Sequence, residues 1–354
     1  MTTPVFYSPA HLGHNPTMIN EWGEPAKLFE QTIRAENILD TLTAAPDRYA
    51  ITAPTPWGRS PIDAVHDSGL INFLERAWRE FQDFRPQTSI VPDSMLHPAV
   101  VEGIGRGTVS SAVWAEIGYW CFEAMTPLME GTYAAACAAV EVALSATAHV
   151  LDSNAQAAYG LCRPPGHHAP RAGYGGYCYF NNAAIAAHHV ASTTGSRVTV
   201  LDVDYHHGNG TQQIFYERDD VQYVSLHADP NRAYPYVIGY ADETGAGRGR
   251  GHNLNIPLPA GIDDDAYGSA LARALDTVVT FDPTVVIVSL GVDTFYDDPL
   301  GDFMVTTAGF ARQASAIQEL GRPTVVLQEG GYAWDKIGAN VDAFLTGLTG
   351  ATAG

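Results

Sequence analysis

From about residue 131 onward, short apolar runs alternate with helical stretches, and this alternation constrains the fold more than any other feature. The runs are AAYGLC (157–162), RVTVLDVD (197–204), VQYVSLHA (221–228), PTVVIVSLGVD (283–293) and PTVVLQEGGY (323–332). Between most of them lie helical patterns such as NNAAIAAHHVAS, AYGSALARALDTVVTF and TAGFARQASAIQEL. Strands that are apolar throughout are buried on both faces, so the expected class is α/β, with a parallel sheet covered by helices on each side. In such sheets, ligands bind beyond the carboxyl ends of the strands. The chain's polar residues gather at those ends: His167 and His168 after the first run, Asp202, Asp204 and His206 after the second, then Asp293 and Tyr332.

The remaining organisation is simple. Residues 1 to about 80 carry two helical patterns, TIRAENILDTL and SGLINFLERAWREF, while about 84–130 reads as irregular and rich in Pro, Gly and aromatics. A segment of that length is expected to be functional or interface-forming. With only 16% charged residues in 354, one large domain over 1–354 is expected.

Charge narrows the partners. The net charge is −20, the only lysines are Lys27 and Lys336, and no basic run exists. Phosphate-backbone binding lacks its driving term, which excludes nucleic acid and an anionic membrane surface as expected partners. A cationic substrate is compatible with that field. No window approaches 18 uninterrupted apolar residues, and MTTPVFYSPAHLGHNP lacks the features of a signal peptide. The expectation is a soluble cytoplasmic protein whose four cysteines, Cys121, Cys137, Cys162 and Cys178, stay reduced.

Within LDVDYHHGNG, Asp204 and His206 are two apart, which in an extended backbone places both side chains on one side. With Asp293 they form a candidate set of three ligands with an open position, as in a catalytic metal site. Two oxygens and a nitrogen suit Zn²⁺, and also Fe²⁺ or Co²⁺. In RPPGHHAP, two prolines and Gly166 set a tight turn that can aim His167 and His168 into one site, where an imidazole serves as base and then acid. Tyr332, after two glycines in QEGGY, can donate to a developing oxyanion. Asp202 has two open roles: accepting the distal N–H of His167, or holding a monovalent cation. His188–His189 reads as structural, IDDDA (262–266) as a helix cap, and DDPLGD (297–302) as a solvated acidic turn. H-E-x-x-H, a Walker A lysine and G-x-S-x-G are absent, which disfavours several common hydrolase classes.

With these stretches in hand, the chain resembles the histone deacetylase-like amidohydrolase family. LCRPPGHHA, GYGGYCYFNNAAIAA, LDVDYHHGNGTQQIFY, VSLHADP, VSLGVDTFYDDP and QEGGY carry the resemblance over about 160–332. Within the family it looks closest to the bacterial acetylpolyamine amidohydrolases, through HGNG, the ETGAG loop and the length. The resemblance implies an arginase/deacetylase fold with about eight parallel strands, and a homodimer or dimer of dimers, with the segment at about 84–130 shaping the active-site mouth and the dimer interface. It implies that Asp204, His206 and Asp293 are zinc ligands and that His168 is general base and acid. His167 becomes its electrostatic partner, oriented by Asp202, and Tyr332 polarises the carbonyl. It also implies a potassium site on the backbone of Asp202, Asp204 and His206 with Ser225 and Leu226, and channel-lining roles for Gly176 and Tyr177.

Two departures bear on function. Related ureohydrolases bind two manganese ions using aspartates where this chain has Gly208 and Gly291, so a second metal loses its ligands. Polyamine-cleaving members carry two glutamates that meet the substrate's remote ammonium, where this chain aligns Trp114 and Met125, with Glu116 and Glu123 close by. The leading expectation is a zinc amidohydrolase acting on a small N-acyl amine of acetylpolyamine type. The same chemistry on a neutral or aromatic amide, or on acetyl-lysine, is the alternative. A metal-binding scaffold without catalysis is the remote one.

Overall fold

In the computed structural model of the protein, residues 2–21, 24–97, 99, 110–153 and 155–350 are described. Eight strands form one parallel sheet in the order β4-β1-β5-β10-β9-β6-β7-β8. The strands are β1 (Thr3–Phe6), β4 (Tyr49–Thr52), β5 (Ala157–Gly160), β6 (Val198–Asp202), β7 (Val221–Ala228), β8 (Asn253–Leu258), β9 (Val285–Leu290) and β10 (Thr324–Gln328). A separate antiparallel hairpin pairs β2 (Met18–Glu21) with β3 (Glu24–Lys27).

The period of two along each strand divides the core between the two faces of the sheet. Val198, Val200, Val285, Ile287, Val325 and Leu327 point to one cluster, while Leu201, Val286, Val288, Leu290 and Val326 point to the other. The first face is covered by α3 (Ser68–Phe84), α4 (Val113–Trp120), α5 (Thr132–Ser153) and α6 (Asn182–Thr194). The second is covered by α1 (Thr32–Thr43), α8 (Asp264–Phe281), α9 (Thr307–Gln318) and α10 (Ile337–Thr349). Two short helices, α2 (Ser60–Asp63) and α7 (Asn209–Phe215), complete the set. Asp263 caps α8 by accepting from the Ala266 N–H at 3.0 Å, as the IDDDA reading expects. Among the described helices, α5 alone is long and apolar enough to cross a membrane, and 67% of that window is buried in this fold. All four cysteines are free.

The topology positions the site. From β6 the chain moves to β7 and β8 on one side, then returns to build β9 on the other side of β6. That reversal opens a crevice at the carboxyl ends of β6 and β9, where Asp204 and Asp293 follow their strands.

The segment from 84 to 130 differs from the irregular stretch expected of it. It contains α4, and Ile90 bridges Leu128 in antiparallel fashion. Residues 98 and 100–109 of that loop lie outside the described residues.

Candidate active site

The chain bends immediately after β6, so Asp204 and His206 are not on one extended strand as their spacing suggested. Instead the Asp204 carboxylate accepts the His206 backbone N–H at 2.8 Å, folding the segment back on itself. Asp293 accepts the Tyr205 backbone N–H at 2.9 Å, which ties the end of β9 to the same bend. The result is a cluster in which one donor atom from each of Asp204, His206 and Asp293 lies within 4.8 Å of the others.

This cluster fits a divalent cation. Both aspartates are fully buried, and two buried carboxylates this close need a positive charge between or beside them. His206 Nδ1 supplies contact to both, at 3.0 Å from Asp293 and 3.4 Å from Asp204. Burial pushes the Asp293 carboxyl up, the Asp204 charge adds to it, and it reaches about 6. Burial lowers the His206 imidazole, but its bonds to Asp204 and Asp293 more than offset that and raise it to about 9. The backbone has closed around the pair because it can: a Cβ on Gly291 would lie 2.0 Å from an Asp204 oxygen, and one on Gly330 would lie 2.4 Å from an Asp293 oxygen. An aspartate at 291 has no room, consistent with a single-ion set.

Two histidines face this cluster with different partners. His167 Nδ1 lies 3.1 Å from the Asp202 carboxylate, whose same oxygen accepts the Tyr223 hydroxyl at 3.0 Å. Of the two roles open to Asp202, the structure places the contact to His167. Burial pulls the His167 imidazole down, the charges of Asp204 and Asp202 overcome it, and it rises to about 10. His168 Nδ1 instead meets the neutral Asn209 side-chain oxygen at 2.7 Å. Burial, then the positive charges of His167 and His206, hold His168 well below the usual imidazole range. The two adjacent imidazoles, with ring centroids 4.0 Å apart, are thus shifted in opposite directions. The register of β6 against β7 sets Asp202 beside Ser225, with Leu226 next along the strand.

These groups open onto a cavity of about 380 Å³ lined by His168, Gly176, Tyr177, His206 and Tyr332, with Met125, Tyr205, Tyr234 and Tyr236 among the walls. Gly176 has φ +58°, and a Cβ there would meet the His168 ring at 2.3 Å, so the wall can approach the histidine only as glycine. Tyr332 is 6% exposed, and burial raises its phenol well above 10, so it stays protonated and able to donate.

The four candidates for the far end of the channel separate sharply. Met125 lines the cavity. Trp114 does not: it is exposed on α4 and stacks on Phe84 with centroids 4.0 Å apart. Glu116 does not: it is buried, paired with Arg76, and accepts the Trp120 indole N–H at 3.1 Å. Glu123 turns its carboxylate to Thr126 and to the N–H groups of Met125 (2.5 Å) and Gly176 (3.1 Å), bracing the channel wall from behind. Among the described residues that line the cavity, the one carboxylate is Asp302, which is ion-paired with Arg232 and accepts the Tyr205 hydroxyl at 2.9 Å. Neither the Glu116 nor the Glu123 carboxylate is turned into the cavity in this arrangement. The histidine pair His188–His189 lies on α6, where His188 meets Arg218, away from the cavity.

Several supporting residues escaped the sequence reading. Glu329, inside QEGGY, accepts the N–H groups of Gly166 (2.6 Å) and His167 (3.1 Å) and so fixes the turn that carries both histidines. Arg34 donates to the carbonyls of Gly331 and Glu329 and lies 4.7 Å from the Tyr332 ring centroid. Arg34 and Arg163 share one buried acid, Glu30, at 2.9 and 2.8 Å. Removing one partner of a buried ion pair leaves charge uncompensated, at a cost of about 3–5 kcal/mol. Glu30→Ala is therefore expected to lower the stability read from the urea midpoint by at least that amount, since two guanidiniums lose their counterion. A loss under about 1 kcal/mol would show that water reaches them.

With the geometry set out, the comparisons with known proteins are informative. The histone deacetylase domain matches residues 28–348. Acetylpolyamine amidohydrolase 2 of Pseudomonas aeruginosa is 40% identical over 346 residues, covering 98% of each chain. The acetylpolyamine amidohydrolase of Mycoplana ramosa is 38% identical over 346 residues, covering 98% of this chain and 99% of the relative. The solved acetylpolyamine aminohydrolase of Burkholderia pseudomallei superposes with a TM-score of 0.90 at 37% identity, over 99% of this chain and 100% of that one. An eight-stranded parallel sheet, a buried Asp–His–Asp cluster at its switch point and full-length similarity of this order all agree: the chain belongs to the histone deacetylase domain family of amidohydrolases.

Proposed function

We propose that the protein is a zinc-dependent amidohydrolase that deacetylates an N-acetylated polyamine or a similarly slender N-acyl amine. One observation carries the reading: a three-donor metal cluster, a neutral imidazole and a protonated phenol meet at one cavity. Full-length relatives named for acetylpolyamines support the substrate class. An ion held by Asp204, His206 and Asp293 supplies Lewis acidity toward the amide carbonyl and makes a water acidic near neutral pH. In this assignment His168 takes the proton of the attacking water, and the same imidazole then protonates the departing amine nitrogen. His167, held cationic by Asp202, keeps His168 from being protonated prematurely. Tyr332 donates its hydroxyl hydrogen to the amide oxygen as negative charge develops there. The products are a carboxylate and a free amine.

Potassium on the backbone of Asp202, Asp204 and His206 with Ser225 and Leu226 belongs to the same reading, as does a cytoplasmic setting. A homodimer or dimer of dimers does too. The exposed side chains Phe84, Met95, Trp114 and Phe122 around the 84–130 segment support a subunit contact there.

A second reading has its own support. The cavity walls are dominated by tyrosines and Met125, and Asp302 is already neutralised by Arg232. A neutral or aromatic amide suits such a channel. The test is kcat/KM on metal-loaded enzyme for N-acetylputrescine against N-acetylbutylamine. A preference of about a hundredfold, roughly 2.7 kcal/mol of transition-state discrimination, is expected if a carboxylate reads the distal ammonium. Equal values, or a preference for the neutral amide, would select the second reading.

A further inference from the structure

The loop that carries Tyr332 is held through its backbone. Gly330 and Gly331 precede the tyrosine, and Gly331 has φ +119°, so this stretch offers no side-chain anchor and sits where only glycine is comfortable. Before the tyrosine, the Gly330 N–H donates to Asp204 at 2.7 Å and the Gly330 carbonyl accepts from the Val292 N–H at 3.2 Å and the Gln328 side chain at 2.8 Å. Arg34 takes the carbonyls of Glu329 and Gly331. The N–H groups of Tyr332 and Ala333 both donate to a single oxygen of Asp298, at 2.6 and 3.0 Å. The other Asp298 oxygen accepts the Leu300 N–H at 3.0 Å.

Asp298 belongs to the DDPLGD stretch, which the sequence alone assigns to a solvated acidic turn. The structure corrects that reading for one of its acids. Asp298 is 6% exposed, whereas its neighbour Asp297 is exposed. The loop after β9 that contains Asp298 also carries Asp293 of the metal cluster and continues into the cavity wall at Pro299 and Leu300. One carboxylate thus joins the loop of the metal cluster and the cavity wall to the loop of the phenol.

We propose that Asp298 is the positioning residue of Tyr332: it fixes the distance between the tyrosine hydroxyl and the metal cluster by clamping the two loops together. It touches no reacting atom, and its effect passes entirely through the tyrosine. A backbone clamp of this kind matters because a displacement of about 1 Å in a reacting geometry costs about a hundredfold in rate. A buried carboxylate suits the task, since it accepts three N–H bonds that a neutral side chain cannot all satisfy. The inference rests on the proposed role of Tyr332 in amide hydrolysis.

The test is a double-mutant cycle on the full-length, metal-loaded protein, using the better amide of the pair compared above. Asp298→Asn, which keeps one acceptor oxygen, and Asp298→Ala are each measured alone and combined with Tyr332→Phe. The expected result is a fall in kcat of about 10- to 100-fold for Asp298→Ala, a smaller fall for Asp298→Asn, and little change in KM or bound metal. In the Tyr332→Phe background the same substitutions are expected to cost less than about twofold, because the hydroxyl they position is gone. Asp297→Asn serves as the exposed control and is expected to leave kcat unchanged. Equal losses in both backgrounds, or loss of bound metal in Asp298→Asn, would overturn the inference while leaving the role of Tyr332 intact. Full activity in Tyr332→Phe would overturn both. Should Asp298→Ala fail to fold, the Asp298→Asn cycle decides alone, by the same criterion.

Discussion

Asp293→Ala is expected to reduce kcat/KM by about a thousandfold or more while leaving the metal-free fold at least as stable as it is now. The two effects have opposite signs for one reason. A bound ion contributes several kcal/mol of charge stabilisation to amide hydrolysis, at about 1.36 kcal/mol for each factor of ten, and Asp293 is one of three side chains able to hold it. Without an ion, however, the same carboxylate has among the described residues only the His206 imidazole, 3.0 Å away, as an ion-pair partner to offset its charge. It is fully buried and close to Asp204, and its carboxyl is pushed up to about 6. A folded-state value raised above the unfolded one means that stability is lost as pH rises through about 6. Alanine removes that loss. The checks are metal content, kcat/KM and the melting temperature with and without chelator. In the parent protein, metal should raise the melting temperature by binding the native state, and in the variant it should not. A variant that keeps both metal and turnover would remove Asp293 from the cluster. A variant that is less stable than the parent in chelator would show that the carboxylate mainly anchors Tyr205 through its backbone N–H.

The balance between what could be read and what could not follows from sequence separation. β6, β7, β9 and β10 are buried throughout and flanked by turn residues, so composition alone locates them. β1, β4 and β8 are not legible in this way: β1 and β8 contain prolines, and three of the four residues of β4 are exposed on the sheet edge. α5 hides because its alanine-rich sequence is apolar on nearly all sides, which leaves no contrasting face to detect. The metal cluster and histidine pair are legible because their chemistry lies in short local motifs. Their supports are not. Arg34 meets Gly331 across 297 residues, and the Asp204 carboxylate accepts the Gly330 N–H across 126. An acidic turn such as DDPLGD looks solvated until its partner, a glycine loop elsewhere in the chain, is known. The pairing of Glu116 is hidden for the same reason, since its partner Arg76 lies on α3.

His168→Ala is expected to lower kcat by about 10²- to 10⁴-fold, the range for a positioned acid–base group, whereas His167→Ala should cost less. The distinction rests on their partners rather than on their positions, which are adjacent. A general base must be neutral when the reaction begins. His168 bonds to the uncharged Asn209, and burial with the charges of His167 and His206 holds it well below the usual imidazole value of 6.5. His167 bonds to Asp202, and the charges of Asp204 and Asp202 raise it to about 10, which favours its protonated form and makes it the poorer base. The acid limb of the kcat/KM profile should accordingly lie below pH 6.5 in the parent enzyme. In His167→Ala it should move upward, because one of the charges that depresses His168 has been removed. In His168→Ala the limb should vanish along with most of the rate, and bound metal should be unchanged, since His168 is not part of the three-donor cluster. The experiment is a pH–rate profile of the three proteins with metal content measured alongside. A larger loss in His167→Ala than in His168→Ala would reverse the assignment. An acid limb that moved downward in His167→Ala would show that His167 is neutral in the working enzyme and that Asp202 does not hold its proton there.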